Sequence, residues 1–305
     1  MDMHSTLPVS LRQLQYIVAV AQHGSFRRAA EACHVAQPSL SAQVATAERA
    51  LGVQLFERSA RRVRVPAAAA ALIVQARKIL TATGDLRELA RQQADPFLGT
   101  LRVGVIPTIC PYLLPDIAPL LSRDFPNLAI EWREDRTGRF VQQLKEGTLD
   151  AAIVALEADL RGLAHVPLGW DPFVLAMAPG HPLAQDRKRL TLERLAGARV
   201  LLLDEGHCLG EQALQLCTRA GAGHGDFRAT SLATLIQMVI ASSGATLLPS
   251  LAVPIENRRG QLALRAFAQP GPGRTLVLAW RRGSALRIPL ERIATTMRQG
   301  LLKND

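Results

Sequence analysis

Helix start and stop signals restrict the first fifty residues of this chain to three short helices. The predicted helices cover residues 11–21, 26–33 and about 37–52, the first from the helical spacing of its apolar residues. Gly24 ends the first helix, and Ser25 is suited to cap the second. Pro38 stands in the first turn of the third helix, where proline is tolerated. A compact three-helix unit is therefore predicted.

Two alternating segments, residues 53–56 and 63–65, flank an arginine-rich stretch after the third helix. They predict a two-stranded wing. Four of the seven residues from Arg58 to Arg64 are arginines, and the whole chain has a net charge of +10, which favours a polyanionic partner. Two helices across a short turn, followed by a basic wing, are typical of a winged helix-turn-helix that binds double-stranded DNA.

Residues 67–93 are rich in alanine and contain no proline, with apolar residues near heptad spacing. This pattern predicts one long amphipathic helix, with Gly84 as its weakest point. The helix either packs against its own domain or links two chains in a dimer, and we favour the dimer. Residues 95–99 then break the helix at a domain boundary.

Strand and helix patterns alternate beyond that boundary, which predicts an α/β fold. Strands are predicted at 101–106, 129–132, 151–156, 173–178, 200–203, 227–230 and 275–280, and helices at 112–123, 140–146, 232–242 and 289–301. We interpret them as two Rossmann-like lobes joined by crossing strands, with a cleft between them. The predicted division is a DNA-binding domain at 10–66, a linker helix at 67–95, and a regulatory domain at 98–305, with lobe I at about 98–172 and 275–305 and lobe II at about 173–274.

The composition is that of a soluble globular protein, with 48% hydrophobic and 20% charged residues. We expect a cytoplasmic protein without a membrane partner, because the sequence shows neither a long apolar stretch nor a signal-peptide pattern. The four cysteines match no zinc-ligand spacing. No metal and no cofactor are expected.

Cys208 and Cys217 are the most informative pair of residues in the regulatory domain. On one helix they would be separated by roughly 13 Å of rise and would face opposite sides. A disulfide needs α-carbons within about 7 Å, so bonding them would require the helix to unwind. Two buried packing residues are the alternative, but a redox switch is favoured.

The chain resembles LysR-type transcriptional regulators and, within that family, the peroxide-sensing OxyR group. In the DNA-binding part the resemblance rests on segments 25–31, 34–41 and 51–58. In the regulatory part it rests on segments 104–108, 111–115, 206–209, 227–232 and 246–249. It implies a periplasmic-binding-protein-like regulatory domain, a homotetramer and RNA polymerase as a partner.

The resemblance also assigns residues to DNA binding. It places polar residues at the groove-facing start of the recognition helix, namely Gln37, Pro38, Ser39, Ser41 and Gln43. A second set is expected to contact phosphates, namely Arg27, Arg28, Arg58, Arg61 and Arg62. Thr46 and Ala47 depart from the family, which usually has a basic residue and a leucine there.

In the regulatory part, Cys208 resembles the peroxide-reactive cysteine and Cys217 the resolving one. His207 and the helix N-terminus are expected to favour the Cys208 thiolate, and Thr108 and Thr137 to hold the peroxide. Gly210 and Glu211 stand where the OxyR group often has Arg and Asp.

The sequence leaves one other mode of regulation open and disfavours two other kinds of protein. A regulator of this family can instead be controlled by a small molecule in the cleft, with the cysteines serving only in packing. A thiol peroxidase or a two-lobed solute-binding protein is disfavoured, because neither needs the helix-turn-helix of residues 11–65. The expected protein is a DNA-binding regulator and not an enzyme.

Overall fold

The computed structural model describes residues 8–58, 63–92, 95–185, 189–204, 206–242 and 244–301. The chain forms two compact units that divide between Ala90 and Arg91. In the part of the chain that is described, no helix is both long and apolar enough to cross a membrane.

Three helices open the N-terminal unit, as the sequence predicts. They are α1 (Leu11–His23), α2 (Phe26–Ala32) and α3 (Gln37–Leu51). Gly24 and Gly52 end α1 and α3 in the left-handed conformation, which costs glycine little because it lacks a Cβ. The Ser25 hydroxyl accepts a hydrogen bond from the Arg28 backbone N–H and so begins α2. Local capping chemistry therefore sets these helix boundaries.

The wing is shorter than predicted. Its strands are β1 (Glu57–Arg58) and β2 (Val63–Arg64), which pair antiparallel. The predicted strand at 53–56 is wrong, because Leu55 and Phe56 are buried in the helical core. Their backbone N–H groups donate to the Glu48 carboxylate at 2.7 and 3.1 Å. A side chain thus supplies the acceptor that a partner strand would have supplied.

The predicted long helix is present as α4 (Ala67–Gln92), and Gly84 lies within it. In its first half, Ile73 and Ala76 are buried in the core of the N-terminal unit. In its second half, Leu86 and Leu89 are 69% and 51% exposed. The first half therefore packs against its own domain, and the second half leaves apolar surface uncovered.

The second unit is an α/β structure of two lobes. Its strands are β3 (Gly99–Val105), β4 (Leu128–Glu134), β5 (Ala151–Ala155), β6 (Leu163–Met177), β7 (Arg199–Leu203), β8 (Gly223–Ala229), β9 (Ala245–Pro249), β10 (Ala263–Ala266) and β11 (Gly273–Arg281). Its helices are α5 (Cys110–Asp124), α6 (Thr137–Glu146), α7 (Pro182–Gln185), α8 (Cys208–Ala220), α9 (Leu232–Ser242), α10 (Val253–Glu256) and α11 (Arg287–Leu301). Single 3₁₀ turns lie at Leu192–Leu195 and Ser250–Ala252.

The strand order is β4-β3-β5-β11-β6-β9-β7-β8, with β10 on β6. In lobe I, β3 pairs in parallel with β4 and β5. In lobe II, β7 pairs in parallel with β8 and β9. The antiparallel strands β6 and β11 pair with each other and join the lobes. This arrangement confirms the two lobes and the crossing strands that the sequence predicts.

Most of the predicted strands and helices are present, and the main differences in the sheet concern β6, β9 and β10. The segment predicted at 173–178 is only the end of β6, which begins at Leu163. The strands β9 and β10 are absent from the sequence prediction. All five residues of β9 are buried, so it lacks the alternation of polar and apolar residues that marks a half-exposed strand.

Candidate functional site

A small pocket lies where three chain segments leave the carboxyl ends of β3, β4 and β7. Its lining residues are Ile106, Pro107, Thr108, Arg136, Thr137, Gly206, His207 and Cys208. The volume open to the centre of a water-sized molecule is about 10 Å³. The pocket therefore holds about one such molecule. The first five residues come from lobe I and the last three from lobe II. The pocket is therefore part of the boundary between the lobes.

Cys208 is the first residue of α8 and borders this pocket. Its side chain is buried, and this burial raises the pKa of the thiol. The charge of Arg274, the Thr137 hydroxyl and the Leu209 backbone N–H oppose that effect by stabilising the thiolate. The site therefore holds Cys208 as a protonated thiol, beside groups that stabilise the thiolate once it forms.

Cys217 lies on the same helix, nine residues further on, and both cysteines are free thiols. Cys208 packs in the core shared by the two lobes, whereas Cys217 packs in the separate core of lobe II. Burial raises the pKa of Cys217 to about 11. The predicted helical geometry is thus present, and it separates the sulfurs across roughly 13 Å of helix rise.

Thr108 and Thr137 both lie in the pocket wall, but their hydroxyls differ. Thr108 Oγ1 accepts a hydrogen bond from Arg274 Nη1 at 2.8 Å. Thr137 Oγ1 is buried and makes no hydrogen bond of ordinary geometry to the described residues, but it lies beside the Cys208 sulfur and stabilises its thiolate. A buried unpaired hydroxyl is costly, so Thr137 is available to bind an entering polar molecule or an ionised Cys208.

Arg274 is a candidate functional side chain that sequence reasoning missed. It is completely buried on β11, and its Nε donates to Asp171 at 3.0 Å. Its Nη2 donates to the Thr108 carbonyl at 2.9 Å. The only sequence signal was a charged residue at the edge of a predicted apolar strand, which is also the pattern of an ordinary surface residue.

His207 contributes differently from the expectation. Burial and the nearby charge of Arg136 lower its pKa, so the imidazole is neutral at pH 7. The positive charge that favours the Cys208 thiolate comes from Arg274 instead.

Close packing against β7 explains why position 210 is a glycine in this chain. A Cβ at this position would lie 2.7 Å from the Leu203 carbonyl oxygen, at the end of β7. The first turn of α8 thus approaches the strand too closely for any side chain. An arginine, which the OxyR group often has here, would require the backbone to shift.

The predicted DNA-binding residues lie mainly on the surface of the N-terminal unit. Exposed residues include Arg27, Arg28, Gln37, Pro38, Ser39 and Gln43, and Ser41 is half-buried. Gln43 accepts a hydrogen bond from Gln13 at 3.1 Å. Arg58 is in β1, whereas Arg61 and Arg62 lie outside the described residues.

The family departures at Thr46 and Ala47 also have local explanations. Ala47 is completely buried against the helical core. Thr46 accepts a hydrogen bond from the Arg49 guanidinium at 3.1 Å. A basic group therefore lies beside position 46, although the residue there is neutral.

Comparisons with known proteins agree with this architecture. Residues 11–70 match the family described as "Bacterial regulatory helix-turn-helix protein, lysR family", and residues 94–301 match the "LysR substrate binding domain". The chain is 44% identical over 292 residues to the "Hydrogen peroxide-inducible genes activator" of Pectobacterium carotovorum, covering 95% of this chain and 96% of the relative. It is also 44% identical over 291 residues to the "DNA-binding transcriptional dual regulator OxyR" of Escherichia coli K12, covering 95% of each. The chain belongs to the LysR family and, within it, to the OxyR group.

A solved structure supports the same assignment. The full-length OxyR of Pseudomonas aeruginosa, solved as a cysteine-to-aspartate variant, has 35% sequence identity and a TM-score of 0.79, covering 97% of this chain and 96% of that one. As a member of the LysR family, the chain is a DNA-binding transcriptional regulator rather than an enzyme.

Proposed function

We propose that this OxyR-group regulator senses hydrogen peroxide through reversible formation of a Cys208–Cys217 disulfide. The observation that carries the proposal is the placement of Cys208 at a pocket of about one water molecule's size. A pocket of this size suits hydrogen peroxide, and it is too small to enclose a metabolite with several carbon atoms. The relatives are named as peroxide-inducible activators, which supports the same signal.

In this mechanism the Cys208 thiolate attacks one peroxide oxygen, and the O–O bond breaks. The products are a Cys208 sulfenic acid and hydroxide, which takes up a proton to become water. The Cys217 sulfur then attacks Cys208 Sγ, a second water leaves, and the disulfide forms. In total, two thiols and one peroxide give one disulfide and two waters.

The pocket residues have distinct roles in the first step. Thr137 Oγ1, which makes no hydrogen bond of ordinary geometry to the described residues, donates to the bound peroxide or to the thiolate. Thr108 accepts from Arg274, so its hydroxyl proton is directed elsewhere and can also reach the ligand. His207, which is neutral, offers a ring nitrogen for hydrogen bonding. Arg274 favours the thiolate by its charge.

The second step requires α8 to unwind, because its helical geometry keeps the sulfurs too far apart. The start of the helix packs in the core that the two lobes share, and the rest of the helix packs in the separate core of lobe II. Its refolding would change the surface of the regulatory domain, and thereby the arrangement of subunits on DNA.

The same proposal extends to partners. We assign promoter DNA to the recognition helix and to the arginines Arg27, Arg28, Arg58, Arg61 and Arg62. We assign dimerisation to the second half of α4, where Leu86 and Leu89 are exposed. A cytoplasmic homotetramer that contacts RNA polymerase is the expected assembly.

The deciding experiment is mass spectrometry of the reduced protein after brief exposure to about one equivalent of peroxide. We expect a disulfide between Cys208 and Cys217, with Cys33 and Cys110 unmodified. Cys208→Ser should abolish the reaction, and Cys217→Ser should trap the sulfenic acid. Thiols that stay unreacted in the unsubstituted protein would refute peroxide sensing and favour a ligand-controlled regulator.

The Thr137→Val variant tests the pocket itself. It removes the unpaired hydroxyl at nearly constant volume, so the fold should be retained while disulfide formation slows at least tenfold. An unchanged rate would exclude Thr137 from the mechanism.

A further inference from the structure

The Glu157 carboxylate of lobe I forms a hydrogen bond with a side chain of α8, the helix that carries both cysteines. Glu157 follows β5, and its Oε2 accepts a hydrogen bond from Gln212 Nε2 on α8 at 3.1 Å. Its other oxygen, Oε1, accepts the Thr275 backbone N–H at 2.9 Å. One carboxylate thus links α8 to lobe I and to the crossing strand β11.

Gln212 lies between the two cysteines, four residues after Cys208 and five before Cys217. Any unwinding that brings Cys208 and Cys217 together must therefore move Gln212. Its Oε1 is buried without a hydrogen-bond partner among the described residues. Among the described residues, the hydrogen bond to Glu157 is the polar contact that fixes the position of the Gln212 side-chain amide.

We propose that the Glu157–Gln212 contact is a clamp that stabilises the reduced, helical form of α8 and thereby raises the reduction potential of the Cys208–Cys217 pair. This inference rests on the proposed function. A contact that exists only in the dithiol form favours that form, and so makes the disulfide easier to reduce.

The second contact of Glu157 gives the clamp a further consequence. Thr275 directly follows Arg274, the residue that favours the Cys208 thiolate. The clamp therefore fixes α8 relative to the strand that carries Arg274. Release of Gln212 on oxidation would remove this link between the redox helix and the crossing strands.

The test is the equilibrium between the full-length protein and glutathione. The protein dithiol and one glutathione disulfide exchange to give the protein disulfide and two glutathione thiols. Mass spectrometry then gives the disulfide fraction across a series of glutathione ratios. Gln212→Ala is the test variant, and Gln215→Ala is the matched control, because Gln215 is an exposed residue of the same helix.

For Gln212→Ala we expect an equilibrium constant for disulfide formation about three- to tenfold higher, the range of a single net hydrogen bond. This corresponds to a potential lower by about 15 to 30 mV for a two-electron couple. Gln215→Ala should leave the constant unchanged. Glu157→Ala should match Gln212→Ala, and the double variant should add little to either single one.

Equal constants for Gln212→Ala and Gln215→Ala, or fully additive effects in the double variant, would overturn the clamp while leaving peroxide sensing intact. Absence of a disulfide in the unsubstituted protein at every glutathione ratio would instead overturn the proposed function, and the clamp with it.

Discussion

The Arg274 guanidinium donates to both oxygens of Thr108, to the hydroxyl at 2.8 Å and to the carbonyl at 2.9 Å. It also forms an ion pair with Asp171 at 3.0 Å, in which the two side chains are 0% and 3% exposed. Asp171 in turn accepts the Leu251 backbone N–H at 3.0 Å. A buried charge pair therefore joins β11, β6 and the pocket loop after β3.

Arg274→Ala should destabilise the reduced regulatory domain, because it leaves the Asp171 carboxylate buried without its cation. Removing one partner of a buried ion pair costs about 3–5 kcal/mol. Urea unfolding followed by tryptophan fluorescence measures this loss in the second unit, since Trp132, Trp170 and Trp280 all lie there.

Arg287→Ala is the control for Arg274→Ala. Its ion pair with Glu291 is exposed, and such pairs contribute about 1 kcal/mol or less. A loss of under about 1 kcal/mol for Arg274→Ala as well would mean that the Asp171 carboxylate does not depend on Arg274 for its stability in the folded protein.

The rate of disulfide formation should rise with pH from 7 to 9. Burial raises the pKa of Cys208 above its ordinary value of 9.0, so the reactive thiolate is a minor species throughout this range. The rate should therefore still be rising with pH at the upper end of this range. Stopped-flow tryptophan fluorescence at limiting peroxide measures it, and a plateau below pH 8 would contradict the raised pKa.

Stability should follow the opposite trend with pH. The folded protein holds Cys208 as a thiol, so the stability from this group is complete below pH 9.0 and is lost as the pH rises through the raised pKa. Burial also raises the pKa of Cys217, to about 11. Both thiols thus contribute to the same alkaline loss of stability in the reduced protein.

The sequence predicts those parts of the fold that are encoded locally. Gly24, Ser25 and Gly52 set helix ends through their own backbone and side-chain chemistry, so the helices of the N-terminal unit could be placed from the sequence. The helix 232–242 was likewise predicted with its observed bounds. The cysteine pair could be recognised because its spacing on one helix keeps the two α-carbons too far apart for a disulfide.

Contacts between distant segments could not be predicted from local patterns. Arg274 and Asp171 are 103 residues apart, and only the pairing of β6 with β11 brings them together. The pattern at 53–56 predicts the first wing strand too early, because the Glu48 carboxylate accepts the backbone N–H groups of Leu55 and Phe56 in place of a partner strand. The role of Arg274 at the pocket depends on its contacts with Thr108 and its charge near Cys208, which no local pattern in the sequence contains.

Gly210→Ala should destabilise the reduced protein by about 1–3 kcal/mol. The new Cβ would lie 2.7 Å from the Leu203 carbonyl oxygen, so α8 must move away from β7, and overpacking of this kind has such a cost. Urea unfolding of the reduced protein measures the change.

Gly138→Ala provides a contrasting glycine substitution in the same unit. Gly138 is also helical, but nothing lies within 4 Å of a Cβ at its position. There alanine should stabilise the helix by up to about 1 kcal/mol. If both variants changed stability in the same direction, the close approach of α8 to β7 would not explain Gly210.

Arg27→Ala should reduce the salt dependence of DNA binding without changing sequence preference. The Arg27 side chain is 74% exposed on α2, and its ion pair with Glu31 at 3.6 Å contributes little stability. If it contacts one phosphate, its loss should lower the slope of log K against log salt by about 0.9. Fluorescence anisotropy with an operator duplex and a scrambled duplex, over a range of about 50 to 200 mM salt, measures the slope.

Arg161→Ala is the matched control, because Arg161 is 90% exposed and paired with Asp159, but lies in the regulatory unit. Its slope should equal that of the unsubstituted protein. The phosphate role would be refuted if Arg27→Ala weakened binding to the operator alone, since a base contact carries sequence information and a phosphate contact does not.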